Sequence, residues 1–230
     1  MLDAVILDVG GVLLIPHADV VSDALRQFDV NIDEALAERA HFLSIAALDG
    51  ADSDATGFTA YRDAYARAIG VPKDTHAQAL ECMAELWAGP NIDLWRQPVS
   101  GSTDGLRRLA TRSVKLAIVS NSDGTVEEQL RRHQICQVGE GLGVPVLAII
   151  DSHVAQVAKP AAAIFIRALE HIGVPPQRAA YVGDTVRYDV AGARAAGLLP
   201  IHFDPFELCP QREDHRHIRQ LVDLELLLES

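Results

Sequence analysis

The chain has 230 residues, 49% hydrophobic and 23% charged, enough apolar mass for one generous domain or two small ones, and that balance excludes disorder as its main state. Lys and Arg number 20 against 32 Asp and Glu, and the net charge of −12 argues against electrostatic binding to nucleic acid or anionic lipid, so any phosphate needs a local site. Cys82, Cys136 and Cys209 lie far apart with no Cys-x-x-Cys spacing, so neither a disulfide framework nor a thiolate zinc site is expected. The first residues carry Asp3 and only a short apolar run, too little for a secretory signal or a membrane span, and a cytoplasmic protein is expected.

In chain order, short β-branched apolar runs alternate with longer amphipathic segments, the pattern of crossover helices covering a mostly parallel sheet. The expected fold is α/β, a doubly wound parallel sheet with a Rossmann-type core. The strand candidates are Val5–Leu7, Leu116–Val119, Val146–Ile150, Ala179–Val182 and Leu199–Phe203. Helical spacing falls between them at Leu106, Leu109 and Ala110, at Val126–Leu130, at Ile164, Ile166, Leu169 and Ile172, and at Val190–Ala196. Gly173 and Gly197 stand where helix C-caps belong.

The interval from Pro16 to Trp95 breaks the alternation with several helical patterns in a row and no convincing strand. It predicts an inserted helical domain over 16–95, leaving 1–15 and 96–230 as the core. Its helices are expected near Asp19–Phe28, Asp33–Leu48, Phe58–Ile69 and His76–Trp87, with turn signals at Gly70, Pro72, Gly89 and Pro90.

Polar residues after the strands matter because open α/β sheets bind ligands beyond the strand carboxyl ends. The first strand runs into Asp8-Val9-Gly10-Gly11, the second into Ser120-Asn121-Ser122, a later one into Gly183-Asp184-Thr185 with Asp189 beyond, and Lys159 follows the Val146 strand. Singly, each has a local explanation: Asp8 as a turn residue before two glycines, Ser120 or Asn121 as a helix cap, Asp184 and Asp189 as acids at a helix start. Together they mean more. Several carboxylates at one sheet edge repel one another unless a cation is present, and hard oxygen ligands select magnesium.

These motifs resemble the four signatures of the haloacid dehalogenase (HAD) superfamily, whose members are mostly magnesium-dependent phosphatases. The resemblance rests on the strand ending at Asp8, on Ile118-Val119-Ser120-Asn121, on Lys159-Pro160, and on Tyr181-Val182-Gly183-Asp184-Thr185 with Asp189-Val190-Ala191-Gly192-Ala193-Arg194-Ala195-Ala196-Gly197. It implies a helical cap for the 16–95 insert and a small phosphorylated molecule as substrate. It further implies Asp8 as the nucleophile that forms an aspartyl phosphate, and Mg2+ held by Asp8, the Gly10 carbonyl, Asp184 and Asp189. Ser120, Asn121 and Lys159 would bind the phosphoryl group.

Two positions depart from the phosphatase pattern. The second aspartate, two residues after the nucleophile and acting as general acid and base, is Gly10 here, which removes help worth about 10²–10⁴-fold. Ala161 stands where relatives commonly carry an aspartate after Lys-Pro. Two alternatives stay open: a haloacid dehalogenase, whose aspartate attacks carbon without a metal but which usually carries an aromatic residue at the Gly10 position, and a catalytically quiet binding or regulatory protein, which Gly10 keeps open. Asp184 and Asp189 argue against the first.

Other features read as structural. Gly139–Gly143 lacks the spacing of a nucleotide-binding glycine loop and reads as a plain loop. His215 and His217, interleaved with Arg212 and Arg216, read as a solvated segment leading into a packed helix. Trp87 and Trp95 read as packing anchors, and His17 is the candidate substitute acid or base.

Overall fold

A computed structural model describes residues 2–88, 93–210 and 214–228. The turn signals at Gly89 and Pro90, and Arg212, lie outside the described residues. The chain divides into two compact units, Met1–Leu13 with Pro98–Ser230, and Leu14–Gln97. Among the described residues no helix is long and apolar enough to cross a membrane.

The first unit is built on six strands: β1 (Ala4–Leu7), β2 (Lys115–Ser120), β3 (Ala148–Asp151), β4 (Ala179–Gly183), β5 (Leu199–Phe203) and β6 (Arg216–Ile218). They form one parallel sheet in the order β6-β5-β4-β1-β2-β3. Every residue of β1 is fully buried, as a central parallel strand covered on both faces requires. The helix Ala162–Ile172 lays Ile164, Phe165, Ala168, Leu169 and Ile172 against Ala4, Ile6, Ala117 and Val119 of the sheet, and ends at Gly173 with φ 62°. The chain winds in opposite directions from β1 toward β2 and toward β4, so the crevice beyond the carboxyl end of β1 is where a ligand belongs.

Two expectations need correction. The run Val146–Ile150 is not one strand: Val144–Val146 pairs with Cys136–Val138, and β3 starts at Ala148, with Leu147 54% exposed at the break. A continuous apolar run carries no mark of where its pairing partner changes. The Arg216–Ile218 stretch, read as solvated, is the edge strand β6, whose His217 lies beside His202 of β5. An alternation of charged and imidazole side chains hides a three-residue strand, because what half-buries those imidazoles arrives from elsewhere in the chain.

The Gly139–Gly143 loop folds around Gln137, whose side-chain amide donates to the Gly143 carbonyl at 3.1 Å and accepts the Gly143 N–H at 2.9 Å. That use of the loop is structural.

The second unit holds helices Ala18–Ala24, Glu34–Asp49, Asp54–Ala68 and His76–Ala88, with a 3₁₀ turn at Arg26–Phe28. Strands Leu14–Pro16 and Trp95–Pro98 pair at its ends. The Asp33 carboxylate caps the second helix by accepting the Leu36 N–H at 2.7 Å. Trp87 packs with its ring 5.8 Å from Tyr65, and Trp95 lies 5.9 Å from His41, both in anchoring positions.

Gly192, in the helix Ala191–Ala195, is pressed against Phe165: a Cβ there would sit 2.6 Å from the ring and 3.1 Å from the Pro160 Cα. Alanine gains about 1 kcal/mol in a free helix, but overpacking costs about 1–3 kcal/mol, and the buried Phe165 ring and the Pro160 backbone leave little room to yield. Gly192→Ala is therefore expected to lower stability by about 1–2 kcal/mol in urea unfolding; a stabilised variant would contradict this packing.

Candidate active site

The sheet register assembles the site. Leu7 lies beside Ile118 on one side and Val182 on the other, and the Asp8 N–H donates to the Val182 carbonyl at 2.9 Å. Asp8 thus leaves the sheet at the same edge as Ser120, two residues beyond Ile118, and Asp184, two beyond Val182. Asp8, Lys159, Asp184 and Asp189 are 6%, 5%, 3% and 1% exposed, and only mutual compensation makes such burial of four ionisable groups tolerable.

Lys159 supplies that compensation. Its ammonium has three N–H donors and places them on Asp8 Oδ2 at 2.6 Å, Asp189 Oδ1 at 2.7 Å and the Tyr181 hydroxyl at 3.0 Å. The Tyr181 oxygen also lies 3.0 Å from the Val119 carbonyl and 3.1 Å from Asp189 Oδ1, two acceptors that compete for its single proton. The Asn121 amide positions the lysine from below, accepting the Lys159 N–H at 2.8 Å and donating to its carbonyl at 3.1 Å. The Asn121 side chain is thus engaged with the Lys159 main chain, which leaves the main-chain N–H of Asn121 as its group for a phosphate contact.

Asp189 is equally committed. Its Oδ2 accepts from the Thr185 hydroxyl at 2.5 Å and the Thr185 N–H at 2.9 Å. It lies in a wide π turn, Val186–Val190, preceding the expected helix. Such turns re-aim side chains that an α-helix would point elsewhere. Gly183 makes the approach possible, since a Cβ there would fall 2.3 Å from the Asp189 carboxyl carbon.

The electrostatics follow from burial. Burial pulls the Lys159 ammonium down, but Asp189 and Asp8 outweigh it and hold it well above its ordinary value. Burial would raise Asp189, yet Lys159 and Thr185 bring it below the usual carboxylate range. Burial pushes Asp8 up to about 7, with Lys159 opposing and Asp189 and Asp184 adding to the rise. The carboxylate oxygens of Asp8, Asp184 and Asp189 lie within 4.8 Å of one another. A donor set of hard, mutually repelling oxygens, with one member left near neutrality, fits a divalent cation such as Mg2+. Asp8, Asp184 and Asp189 are the candidates to hold it; each Asp8 oxygen accepts one protein donor, the Val9 N–H at 2.7 Å and Lys159 at 2.6 Å, and the Asp189 oxygens are more fully occupied, by Lys159, Tyr181 and Thr185.

The family model of haloacid dehalogenase-like hydrolases matches residues 2–197. The chain belongs to that hydrolase family. It is 35% identical over 102 residues to the haloacid dehalogenase-like hydrolase domain-containing protein 3 of Bos taurus, covering 44% of this chain and 38% of that protein. It is 34% identical over 93 residues to a phosphoserine phosphatase of Thermus thermophilus, covering 40% of this chain and 35% of that protein. The chain thus spans well under half the length of these relatives. Among solved structures, a 2-haloacid dehalogenase from Pseudomonas syringae superposes with a TM-score of 0.57 at 22% identity, covering 100% of this chain and 99% of that one. That last likeness shows the fold alone.

Within this HAD-like hydrolase, Ser120 is buried at the end of β2, and Gly10 sits partly buried two residues after Asp8. It is Gly11, not Gly10, that turns the chain with a left-handed φ of 69°. His17 belongs to the second unit and caps the helix Ala18–Ala24, its Nδ1 accepting the Asp19 N–H at 3.2 Å. Burial and Arg96 push its pKa down, which disfavours the imidazolium form. Sequence reasoning assigned no role to Tyr181 or Thr185. The one available signal was a tyrosine in a strand where alanine, valine and glycine are its neighbours, since a buried hydroxyl needs a partner.

The Asp8 shift has a sign that unfolding can test. The unfolded chain releases this proton near 3.8, whereas the native protein keeps it up to about 7. Stability from this group is therefore present at low pH and is lost as pH rises through that interval. In metal-free protein, Asp8→Asn should gain stability relative to the parent as pH rises from about 4 to about 7, read by urea unfolding. A difference that stays flat with pH contradicts the assignment.

Proposed function

We propose that this HAD-like hydrolase is a magnesium-dependent phosphatase acting on a small phosphorylated metabolite through an aspartyl phosphate, with 1–15 and 96–230 as catalytic core and 16–95 as its helical cap. The observation that supports it most is the grouping of Asp8, Asp184 and Asp189, with Lys159 bonded to Asp8 and Asp189 and Asp8 left near neutrality. A metal-free dehalogenase would still need Asp189 to hold Lys159, but it has no such use for Asp184. The phosphatase relative, at 34% identity, points the same way.

In this mechanism an Asp8 carboxylate oxygen attacks phosphorus in line; the Asp8 O–P bond forms as the bond to the leaving oxygen breaks. Water then attacks the acyl phosphate, releasing inorganic phosphate and restoring the carboxylate. Lys159 holds the Asp8 carboxylate in place and compensates charge on the phosphoryl oxygens, while the Ser120 hydroxyl donates to one of them. Tyr181, Asp189 and Asn121 keep Lys159 aimed at Asp8. Bound through Asp8, Asp184 and the Gly10 carbonyl, Mg2+ would supply the charge compensation that one lysine cannot.

Gly10 offers no carboxyl to protonate the leaving oxygen, so the rate should depend steeply on leaving-group pKa, with aryl and acyl phosphates far ahead of alkyl phosphates. Gly10→Asp should flatten that dependence, and Gly10 is not the residue whose left-handed backbone disfavours a side chain. A parent enzyme equally fast on alkyl and aryl phosphates would contradict this.

The deciding experiment is a screen of phosphate esters with Mg2+ beside an Asp8→Asn control and a chelator arm. Phosphate release should require Mg2+, fall by at least about 10³-fold in Asp8→Asn, and drop in Asp184→Ala with only partial recovery at high Mg2+. Halide release from 2-haloacids in chelator would establish the dehalogenase instead, and absence of turnover on both substrate classes would establish the quiet binding protein.

A further inference from the structure

A second cluster of ligand atoms lies in the same unit. His202 on β5, Cys209 in the following loop, His215, and His217 on β6 each offer a nitrogen or sulfur, all within 4.8 Å of one another. The parallel register sets His202 beside His217, and the three imidazole centroids are 4.5 to 5.2 Å apart. His202 and Cys209 are buried and the other two partly so.

Each member is oriented for ligation. The His202 Nε2 meets the Asp184 main-chain carbonyl at 2.8 Å, an acceptor only, so Nε2 carries the proton and Nδ1 keeps its lone pair. That Nδ1 lies 3.1 Å from His215 Nε2, which in turn lies 3.9 Å from Cys209 Sγ. A tetrahedral zinc ion with its usual bond lengths requires ligand separations of about 3.3 Å between nitrogens and about 3.6 Å between nitrogen and sulfur. The His217 Nδ1 is 3.4 Å from the Asp204 carboxylate, the outer partner that a zinc-bound imidazole commonly has. Asp204 also accepts the Leu208 and Cys209 N–H groups at 2.8 and 3.2 Å, which pins the loop that carries the thiol.

We infer that His202, Cys209, His215 and His217 form a structural zinc site, closed by four protein ligands and distinct from the carboxylate site. Three imidazoles and a thiolate suit a borderline-soft, tetrahedral ion and not Mg2+ or Ca2+. Burial and the neighbouring imidazoles push His215 down to about 4 and hold His202 below its ordinary value, which favours the neutral, ligating form of both rings. Zinc binding would release the Cys209 thiol proton to solvent. The site would clip the loop after β5 to the edge strand β6, and His202 would carry that rigidity to the Asp184 backbone. This zinc reading departs from the expectation of no thiolate zinc site because the ligand spacing, His-x6-Cys-x5-His-x-His, follows no finger or ribbon pattern and only strand pairing brings it together.

The test strips the full-length protein of metal, holds Mg2+ in excess to occupy the acidic site, and titrates Zn2+ and, separately, Co2+. One equivalent of Zn2+ should bind with submicromolar affinity and raise the melting temperature, and Co2+ should give an intense tetrahedral spectrum with a thiolate charge-transfer band. Cys209→Ser should lose that band, and His215→Ala should weaken zinc affinity by about a hundredfold, while Asp8→Asn leaves both unchanged. Failure to take up stoichiometric Zn2+, a pale octahedral Co2+ spectrum, or binding lost in Asp8→Asn and kept in Cys209→Ser would each overturn the inference. Should a ligand variant not fold, the Co2+ spectrum of the parent protein decides alone.

Discussion

The architecture of the site depends on one buried ammonium. Lys159 is removed from water, a cost of several kcal/mol that is recovered only if all its N–H groups and its charge are met. Asp8, Asp189 and Tyr181 meet them. Around this cation the local oddities of the chain become necessities: Gly183 admits Asp189, the wide turn at Val186–Val190 aims it, Thr185 holds its other oxygen, and Asn121 grips the lysine's own peptide groups. Removing one partner would strand a buried charge, which is more destabilising than the intact pair is stabilising.

The same arrangement divides labour among three carboxylates that composition alone cannot distinguish. Asp189 is held below the ordinary range by Lys159 and Thr185 and acts as a fixed counter-charge. Asp8, raised by burial more than Lys159 relieves and raised further by Asp189 and Asp184, is left near neutrality. Environments that push like groups apart are how a fold assigns them different roles. In this hydrolase the carboxylate with the unsettled charge is also the one at the end of the central strand, where ligand is expected.

Gly10 is the point at which this chain departs from its family's phosphatase pattern, and its surroundings explain why the departure is tolerated. The Asp8–Lys159–Asp189 network is complete without a side chain at position 10, so its loss bears on proton delivery to a leaving group and not on the integrity of the site. His17, the residue expected to compensate, is occupied as a helix cap, and burial and Arg96 hold its pKa below the ordinary value.

Much of the fold was legible because it is local. Alternating apolar runs marked β1, β2, β4 and β5, helical spacing marked the helices of both units, and strand-end residues marked Asp8, Ser120, Asp184 and Lys159 as one constellation. What sequence could not show is non-local. The break at Leu147, the direction of the Tyr181 hydroxyl, the commitment of Asn121 to Lys159 and the meeting of His202, Cys209, His215 and His217 are each decided by which strand lies beside which. Sequence periodicity records which face of an element is apolar; it does not record the register between elements. The three acceptors of one ammonium and the four corners of the histidine–cysteine cluster were therefore determined only when the parallel sheet closed.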